Sequence, residues 1–299
     1  MELSIGENDF LQCFENISSK KLNNKNNLNI FLLYSNANEF DYKLLERNLL
    51  DPIISYAISR KVKEDYKNKP GTLVNNAKEK FKNYEQNEGE LGELMLYCFL
   101  ETHLKAPKIL SKMELKTSNN LYVNGSDGVH FLKLKNGNYQ LIFGEAKMYK
   151  NLDYAVNNAL KSIREFVIEK NKKEKDKSGI TFEKVLISEN LSKEFSKEDE
   201  EFLIKLVYPS SQNNFRVDDA FGIFIGYETI ITKEEKKLDN DNFRKVIKQK
   251  VLNEISKISA KINKRIEDNN LDGHNFYIYI VPFTDIKRNK KEVLGEIIK

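Results

Sequence analysis

The stretch that decides the fold is IFGEAK, residues 142–147, the end of an apolar run that begins at Tyr139. Its short length and its apolar and aromatic residues are typical of a β-strand. Successive side chains of a strand point to opposite faces of the sheet, so Glu145 and Lys147 should lie on one face and Ala146 on the other. The pattern therefore predicts that a carboxylate and an ammonium group share one site.

A second carboxylate comes from the strand before this one. Residues 136–138 read NGN, a turn signal that predicts an antiparallel hairpin with a preceding strand at 129–134. Asp127 lies at the start of that strand, close to two glycines, so the hairpin should bring it towards Glu145. Two converging carboxylates form a hard oxygen site for Mg²⁺, with Mn²⁺ as an alternative, and such a metal suits phosphodiester hydrolysis. Lys147 can then orient or activate the attacking water, or offset negative charge on phosphorus.

A third candidate carboxylate lies on a predicted helix. Residues 94–100 are almost wholly apolar and predict a buried helix that ends before Pro107. Glu93 stands at the start of this segment, where a buried carboxylate needs a partner, and a metal ion can be that partner. Glu90 lies one helical turn earlier on the same face, and it remains the alternative to Glu93.

The rest of the chain predicts an α/β sandwich around a central mixed sheet. Further strands are predicted at 28–34, 121–123, 180–188, 221–227 and 276–281, and further helices at 42–59, from Leu152 onwards and at 243–266. No Gly/Ser/Pro-rich linker marks a boundary. We therefore expect one domain over 1–299, with 1–84 as an N-terminal α/β elaboration and 85–299 as the core with a C-terminal helix and strand.

Composition restricts the function less than these motifs do. The net charge of +4 is the small difference between 49 basic and 45 acidic residues, so nucleic-acid affinity would depend on how charge is arranged. No run of about 18 apolar residues is present, and the N-terminus does not resemble a signal peptide, so we expect a cytoplasmic protein without a membrane segment. Cys13 and Cys98 are isolated, which favours reduced, buried thiols over a disulfide or a zinc site.

Three short motifs carry a family resemblance: GELGEL at 89–94, GSDGVH at 125–130 and GEAK at 144–147. In this order they resemble the HamA family, the nuclease subunits of the Hachiman anti-phage defence system. The resemblance implies a PD-(D/E)xK restriction-endonuclease-like core, Mg²⁺-dependent DNA cleavage and a superfamily 2 helicase partner, HamB. It carries over directly to Asp127, Glu145 and Lys147, and by helix position to Glu93. Ser126 stands where the superfamily name has proline.

Other interpretations of the same residues stay open. A Glu-x-Lys pattern also forms surface ion pairs on edge strands, and a nuclease fold can serve only to dock DNA or a helicase. A sequence-specific restriction enzyme is a further alternative, although no separate recognition domain is visible. Asn158 and Lys161 lie on the polar face of the helix after the Glu-x-Lys strand and are candidate substrate contacts. We expect His130 to be structural.

The helix predicted at 243–266 has a basic face opposite its apolar stripe. Such a face either follows DNA phosphates or is simply solvated in a lysine-rich protein. The basic residues are Lys245, Lys248, Lys250, Lys257, Lys261, Lys264 and Arg265.

Overall fold

The chain forms strands and helices throughout the part that the structure describes, residues 1–23, 25–81, 89–115, 125–170, 173, 175–176 and 178–299 of a computed structural model. The strand predicted at 121–123 lies outside these residues. The strands are β1 (Phe14–Lys21), β2 (Asn27–Leu33), β3 (Ser35–Asn36), β4 (Glu39–Phe40), β5 (Lys108–Ser111), β6 (Gly128–Lys133), β7 (Tyr139–Tyr149), β8 (Val217–Glu228) and β9 (Asn275–Phe283). The helices are α1 (Tyr42–Ala57), α2 (Arg60–Asp65), α3 (Pro70–Lys80), α4 (Glu90–Thr102), α5 (Lys112–Leu115), α6 (Leu152–Ile168), α7 (Ile180–Glu194), α8 (Lys197–Val207), α9 (Asn240–Asp268) and α10 (Ile286–Ile298).

Seven of these strands form one mixed sheet in the order β1-β2-β9-β8-β7-β6-β5. The four middle strands, β2, β9, β8 and β7, run parallel, whereas β1 at one edge and β6 and β5 at the other are antiparallel to their neighbours. The parallel strands are nearly continuous runs of buried residues, because helices cover both faces of a parallel sheet. The central mixed sheet flanked by helices confirms the predicted fold class, and it is compatible with a nuclease-like α/β fold. Strands β1 and β2, from the first 84 residues, belong to this same sheet.

Two helices pack on opposite faces of β7. Helix α4 is buried along its whole length except at Glu93, as its apolar sequence predicts. On the other face lies α6, which is amphipathic and begins at the N-cap Asn151, whose side chain accepts a hydrogen bond from the Tyr154 N–H (2.8 Å). The sequence predictions for α1, α4, α6, α9 and strands β2, β6, β7, β8 and β9 are confirmed to within a few residues at each end.

The prediction of a strand at 180–188 is wrong, because this segment forms part of helix α7. Its buried residues are Glu183, Ile187 and Leu191, which recur every four positions, the spacing of one helical face. The apolar run VLI at 185–187 suggested a strand, but Val185 is 40% exposed and only Ile187 of the three is fully buried.

Two further expectations concern cysteine and membrane segments. Cys13 and Cys98 are free and buried, as expected. Within the described part of the chain, none of the helices combines the length and the apolar character needed to cross a bilayer.

Candidate active site

Strand β7 presents Glu145 and Lys147 to helix α6. On this face Phe143 packs against Phe166 of α6, with ring centroids 5.4 Å apart. On the opposite face the α4 glycine, Gly92, lies against Ala146, and a Cβ added to that glycine would be 3.3 Å from the Ala146 Cβ. The alternation of side chains along the strand therefore places the glutamate and the lysine together, with Ala146 directed into the other layer.

Asp127 lies beside Glu145, just before β6 begins. Its backbone N–H donates to the Gly144 carbonyl (2.9 Å), and its Oδ2 accepts from the Ala146 N–H (2.7 Å). Because Val129 pairs with Phe143 in the antiparallel register, Asp127 falls opposite Glu145. The hairpin thus brings a second carboxylate to the edge of β7, where it is fixed by main-chain hydrogen bonds.

Close packing of α4 brings Glu93 to the other side of Asp127. A Cβ at Gly144 would lie 3.1 Å from a methyl group of Leu96 and 3.2 Å from the Gly128 carbonyl oxygen, so glycine permits this approach. Glu93 accepts a hydrogen bond from the Tyr56 hydroxyl of α1 (3.1 Å). A residue of the N-terminal segment therefore contacts the candidate site.

Lys112, the first residue of α5, joins two of the predicted ligands. Its Nζ lies 3.4 Å from Glu93 Oε1 and 3.4 Å from Asp127 Oδ1, and its side chain is 28% exposed. Sequence reasoning missed this residue, because a lone lysine in a chain with 49 basic residues carries no local signal. Its position depends on how α5, which follows β5 directly, packs against α1.

The second ion pair of the site joins Lys147 to Glu145. Lys147 Nζ lies 2.5 Å from Glu145 Oε1, so the ammonium group is the partner of this buried oxygen. Ser162 of α6, also missed from sequence, hydrogen-bonds the Glu145 carboxylate and lowers its pKa. The carboxylate is therefore held between Lys147 and α6.

A cavity of about 150 Å³ brings together Lys112, Asp127, Glu145, Lys147 and Ser162. Glu93 does not line it; Glu93 lines a much smaller space that shares Asp127 and Gly144 with it. Among the described residues, no three Asp, Glu, His or Cys side chains are close enough to hold one metal ion together. Asp127 instead stands between two partners, Glu145 on one side and Glu93, through Lys112, on the other.

Glu183 of α7 positions the loop that carries Asp127. Its buried carboxylate accepts a hydrogen bond from the Ser126 N–H (2.6 Å), and the Ser126 hydroxyl donates to the Gly128 carbonyl (3.3 Å). Glu183 was missed from sequence because a strand was predicted at 180–188. Correct assignment of α7 would have been needed to find Glu183 from sequence.

The remaining sequence candidates lie outside the cavity. Buried His130 has Nδ1 2.9 Å from the Ala106 carbonyl, consistent with the expected structural role. Glu90 is buried next to Tyr56 and Glu93, but it is Glu93 that shares Lys112 with Asp127.

The basic face of α9 is largely engaged within the protein. Lys248 pairs with Glu15, Lys250 with Glu235, and Lys261 and Arg265 with Asp153. These pairs favour a role in joining α9 to the rest of the fold over a continuous track for phosphates.

A sequence model of the HamA family matches residues 8–297, nearly the whole chain. The chain belongs to the HamA family. Membership confirms the resemblance to this family and implies a role in anti-phage defence. No individual curated protein matches the sequence.

Two carboxylates of this HamA chain, Glu93 and Glu145, have upward-shifted pKa values. Burial and the neighbouring Asp127 raise the pKa of Glu93 to about 7, against weaker lowering by Lys112 and Tyr56. Burial also raises the pKa of Glu145, although Lys147 opposes it. Burial lowers the pKa of Lys147, but Glu145 and Asp127 raise it more, so the net direction is upward. Lys147 is therefore a persistent cation.

The upward shift of Glu93 predicts an unusual pH dependence of stability. Between its ordinary pKa of 4.5 and about 7, folded Glu93 binds more protons than the unfolded residue does. The free energy of unfolding of the metal-free protein should therefore fall, through Glu93, as pH rises across this window. Glu93→Gln should remove that contribution. The difference in free energy of unfolding between wild type and variant should therefore be small at low pH and should grow towards neutral pH.

Denaturant unfolding in EDTA, at intervals between about pH 5 and pH 8, measures this difference. The variant is needed because burial lowers the pKa of His130 to about 4, which makes stability rise with pH and masks the trend in the wild type alone. A constant difference between wild type and Glu93→Gln across the range would contradict the upward shift.

The donor set of the HamA site fits Mg²⁺ chemically. The ion prefers carboxylate oxygens, takes one or two of them and keeps several waters, so it does not require three carboxylates in contact. Asp127 and Glu145 face the cavity together, so two carboxylates can reach an ion held there. Lys112 and Lys147 already show that this group of carboxylates attracts cations.

Proposed function

We propose that this protein is a Mg²⁺-dependent deoxyribonuclease of the PD-(D/E)xK type and the effector of a helicase-coupled anti-phage defence complex. The observation that carries the proposal is the meeting of Asp127, Glu145 and Lys147 in one cavity, at the point where β6 begins beside β7. HamA family membership supports it, since the family model matches residues 8–297, a range that includes all three side chains.

Each side chain has a role in the proposed reaction. Asp127 and Glu145 would hold the metal ion, with Glu93 as a further carboxylate on the far side of Asp127. Bound Mg²⁺ supplies Lewis acidity to the phosphate and lowers the pKa of water. Lys147, held by Glu145, places a permanent positive charge beside the phosphorus, where negative charge grows in the transition state. The Ala146 N–H fixes Asp127 in advance, so little reorganisation is needed.

A helicase partner explains how such an enzyme could be tolerated. A nuclease without sequence specificity would attack the host chromosome, so its activity must be restrained. The family resemblance supplies a superfamily 2 helicase of the HamB type as that partner. A helicase gene beside the gene for this chain, and co-purification of the two products, would support this part of the proposal; a stand-alone gene would count against it.

The metal requirement tests the enzymatic proposal. The full chain, alone and with its helicase partner, should degrade linear or single-stranded DNA in Mg²⁺ or Mn²⁺ and should stop when EDTA is added. Gel electrophoresis of the products measures the activity, with a Ca²⁺ reaction as the control for binding without efficient turnover. Absence of cleavage in both metals, with DNA binding retained, would favour the alternative of a catalytically silent module that docks DNA or a helicase.

A further inference from the structure

Two exposed tyrosines stand next to the proposed catalytic residues. Tyr149 ends β7 and is 38% exposed, and Tyr154 lies in the first turn of α6 and is 54% exposed. Their rings meet edge to face, with centroids 5.0 Å apart and planes at 84°. This contact holds both rings in place although much of their surface faces solvent. We call this pair the aromatic shelf.

The aromatic shelf continues the face of the sheet that carries the chemistry. Tyr149 follows Lys147 by two residues, so the alternation that joins Glu145 and Lys147 puts Tyr149 on the same face, about 7 Å further along the strand. Tyr154 precedes Ser162, a residue of the cavity wall, by eight positions, or about 12 Å along α6. Both rings therefore lie within a few nucleotides of a phosphate bound in the cavity, because one step of B-form DNA spans about 3.4 Å.

Positive and polar groups flank the aromatic shelf. The Lys150 side chain is 79% exposed, with its ammonium 4.0 Å from Glu228. Asn158 and Lys161 follow Tyr154 at spacings of four and seven, so the three share one face of α6 that points away from the core. The Asp153 carboxylate is neutralised by Arg265 (2.6 Å) and Lys261 (3.1 Å) of α9. Exposed rings with cations on either side are the usual composition of a surface that binds single-stranded nucleic acid.

From this arrangement we propose that the aromatic shelf stacks an unpaired nucleobase of DNA, a few nucleotides from the phosphate in the cavity. The inference rests on the proposed function and adds the substrate class to it: DNA with a single-stranded or frayed segment at the cleavage point. A base inside a duplex has both of its faces covered by neighbouring base pairs, so it cannot stack on a tyrosine. Phosphates of the same strand then pass Lys150 on one side and Lys161 on the other.

DNA binding by the full chain in EDTA tests this inference without relying on cleavage. Fluorescence anisotropy compares a labelled oligothymidylate with a blunt hairpin duplex of equal length. The double variant Tyr149→Ala/Tyr154→Ala should bind the single strand at least about tenfold more weakly, the effect expected for losing one stacked base, and should bind the duplex as the wild type does. The double phenylalanine variant keeps both rings and should bind both DNAs normally.

A matched control is Tyr208→Ala. Tyr208 is 48% exposed and follows α8, which packs near the first residue of β7, at the opposite end of the strand from Tyr149. It should leave single-strand binding unchanged. In addition, an oligonucleotide that contains 5-iododeoxyuridine should form a photocrosslink to Tyr149 or Tyr154. Mass spectrometry of the peptides locates the crosslinked residue.

Several results would overturn the inference. The inference fails if the wild type does not bind the single strand, or if the double alanine variant binds it as the wild type does. It also fails if the variant loses affinity equally for single strand and duplex, or if the crosslink forms only at other residues. Loss of a co-purifying helicase with unaltered DNA binding would show that the shelf contacts a protein. If the wild type cleaves DNA and the double alanine variant still binds the single strand normally, this inference alone is contradicted. If single-strand binding depends on the aromatic shelf but no metal-dependent cleavage occurs, the proposed function alone is contradicted.

Discussion

Replacing Glu145 with glutamine should lower the rate of Mg²⁺-dependent DNA cleavage by at least about a hundredfold, the cost typical of losing one group that stabilises charge in a transition state. Glutamine keeps the size of the side chain but removes the negative charge that would hold the metal, and Lys147 loses the carboxylate 2.5 Å away. Because burial raises the pKa of Glu145, a neutral amide should fold at least as stably in the absence of metal. Gel assays measure the cleavage rate, and thermal unfolding with and without Mg²⁺ measures stability.

The control for this variant makes the same chemical change far from the cavity. Glu39 is 65% exposed and pairs with Lys236 at 2.5 Å, so Glu39→Gln should change neither cleavage nor stability by a measurable amount. Mg²⁺ should raise the melting temperature of the wild type and of Glu39→Gln, but not that of Glu145→Gln. Cleavage by Glu145→Gln at the wild-type rate would show that this carboxylate does not hold the metal.

The parts of the site that could be predicted from sequence are those fixed by local geometry. The alternation of β7 determines which face Glu145 and Lys147 occupy, and the NGN turn determines that Asp127 returns beside them. Helix α4 was predictable because an uninterrupted apolar segment of that length has to be buried, which leaves Glu93 as its exception. For Asp127, Glu145 and Lys147, the neighbours in space are also near in sequence.

The missed residues depend on contacts between distant segments. Glu183 is polar, yet it lies on the buried face of α7, because its carboxylate accepts a hydrogen bond from the Ser126 N–H. The periodicity of apolar residues cannot reveal a buried polar residue of this kind. Edge strand β1 alternates only weakly between buried and exposed positions, and β5 has four residues, so neither gave a clear signal. Lys112 and Tyr56 reach Glu93 from separate segments, α5 and α1.

The second large effect that we expect comes from replacing Lys112. Its ammonium group lies 3.4 Å from both Glu93 and Asp127 and offsets their mutual repulsion in the absence of metal. Burial lowers the pKa of Lys112, but the two carboxylates raise it more, so the net direction is upward and the group stays charged. A divalent cation that approaches Asp127 therefore meets a positive charge at short range. Lys112 has to move aside, or tolerate that repulsion, when metal binds.

Lys112→Met should therefore change metal-free stability and metal affinity in opposite directions. Removal of the ammonium leaves two carboxylates uncompensated, which should lower the free energy of unfolding in EDTA by about 1–3 kcal/mol, less than for a fully buried pair because the lysine is partly exposed. The same change should raise the affinity for Mg²⁺ at least about tenfold, since the competing charge is gone. Calorimetric titration with Mg²⁺ and denaturant unfolding in EDTA measure the two quantities.

Lys250→Met is the matched control, because Lys250 pairs with Glu235 at 2.5 Å with almost the same exposure, 27% and 15% against 28% and 10% for Lys112 and Glu93. It should lose some stability in EDTA, and Mg²⁺ should not restore it. In Lys112→Met, Mg²⁺ should recover most of the loss, because the metal replaces the missing charge. Weaker Mg²⁺ binding by Lys112→Met would instead mean that Lys112 assembles the carboxylates for the metal, and that the ammonium and the divalent ion occupy separate positions.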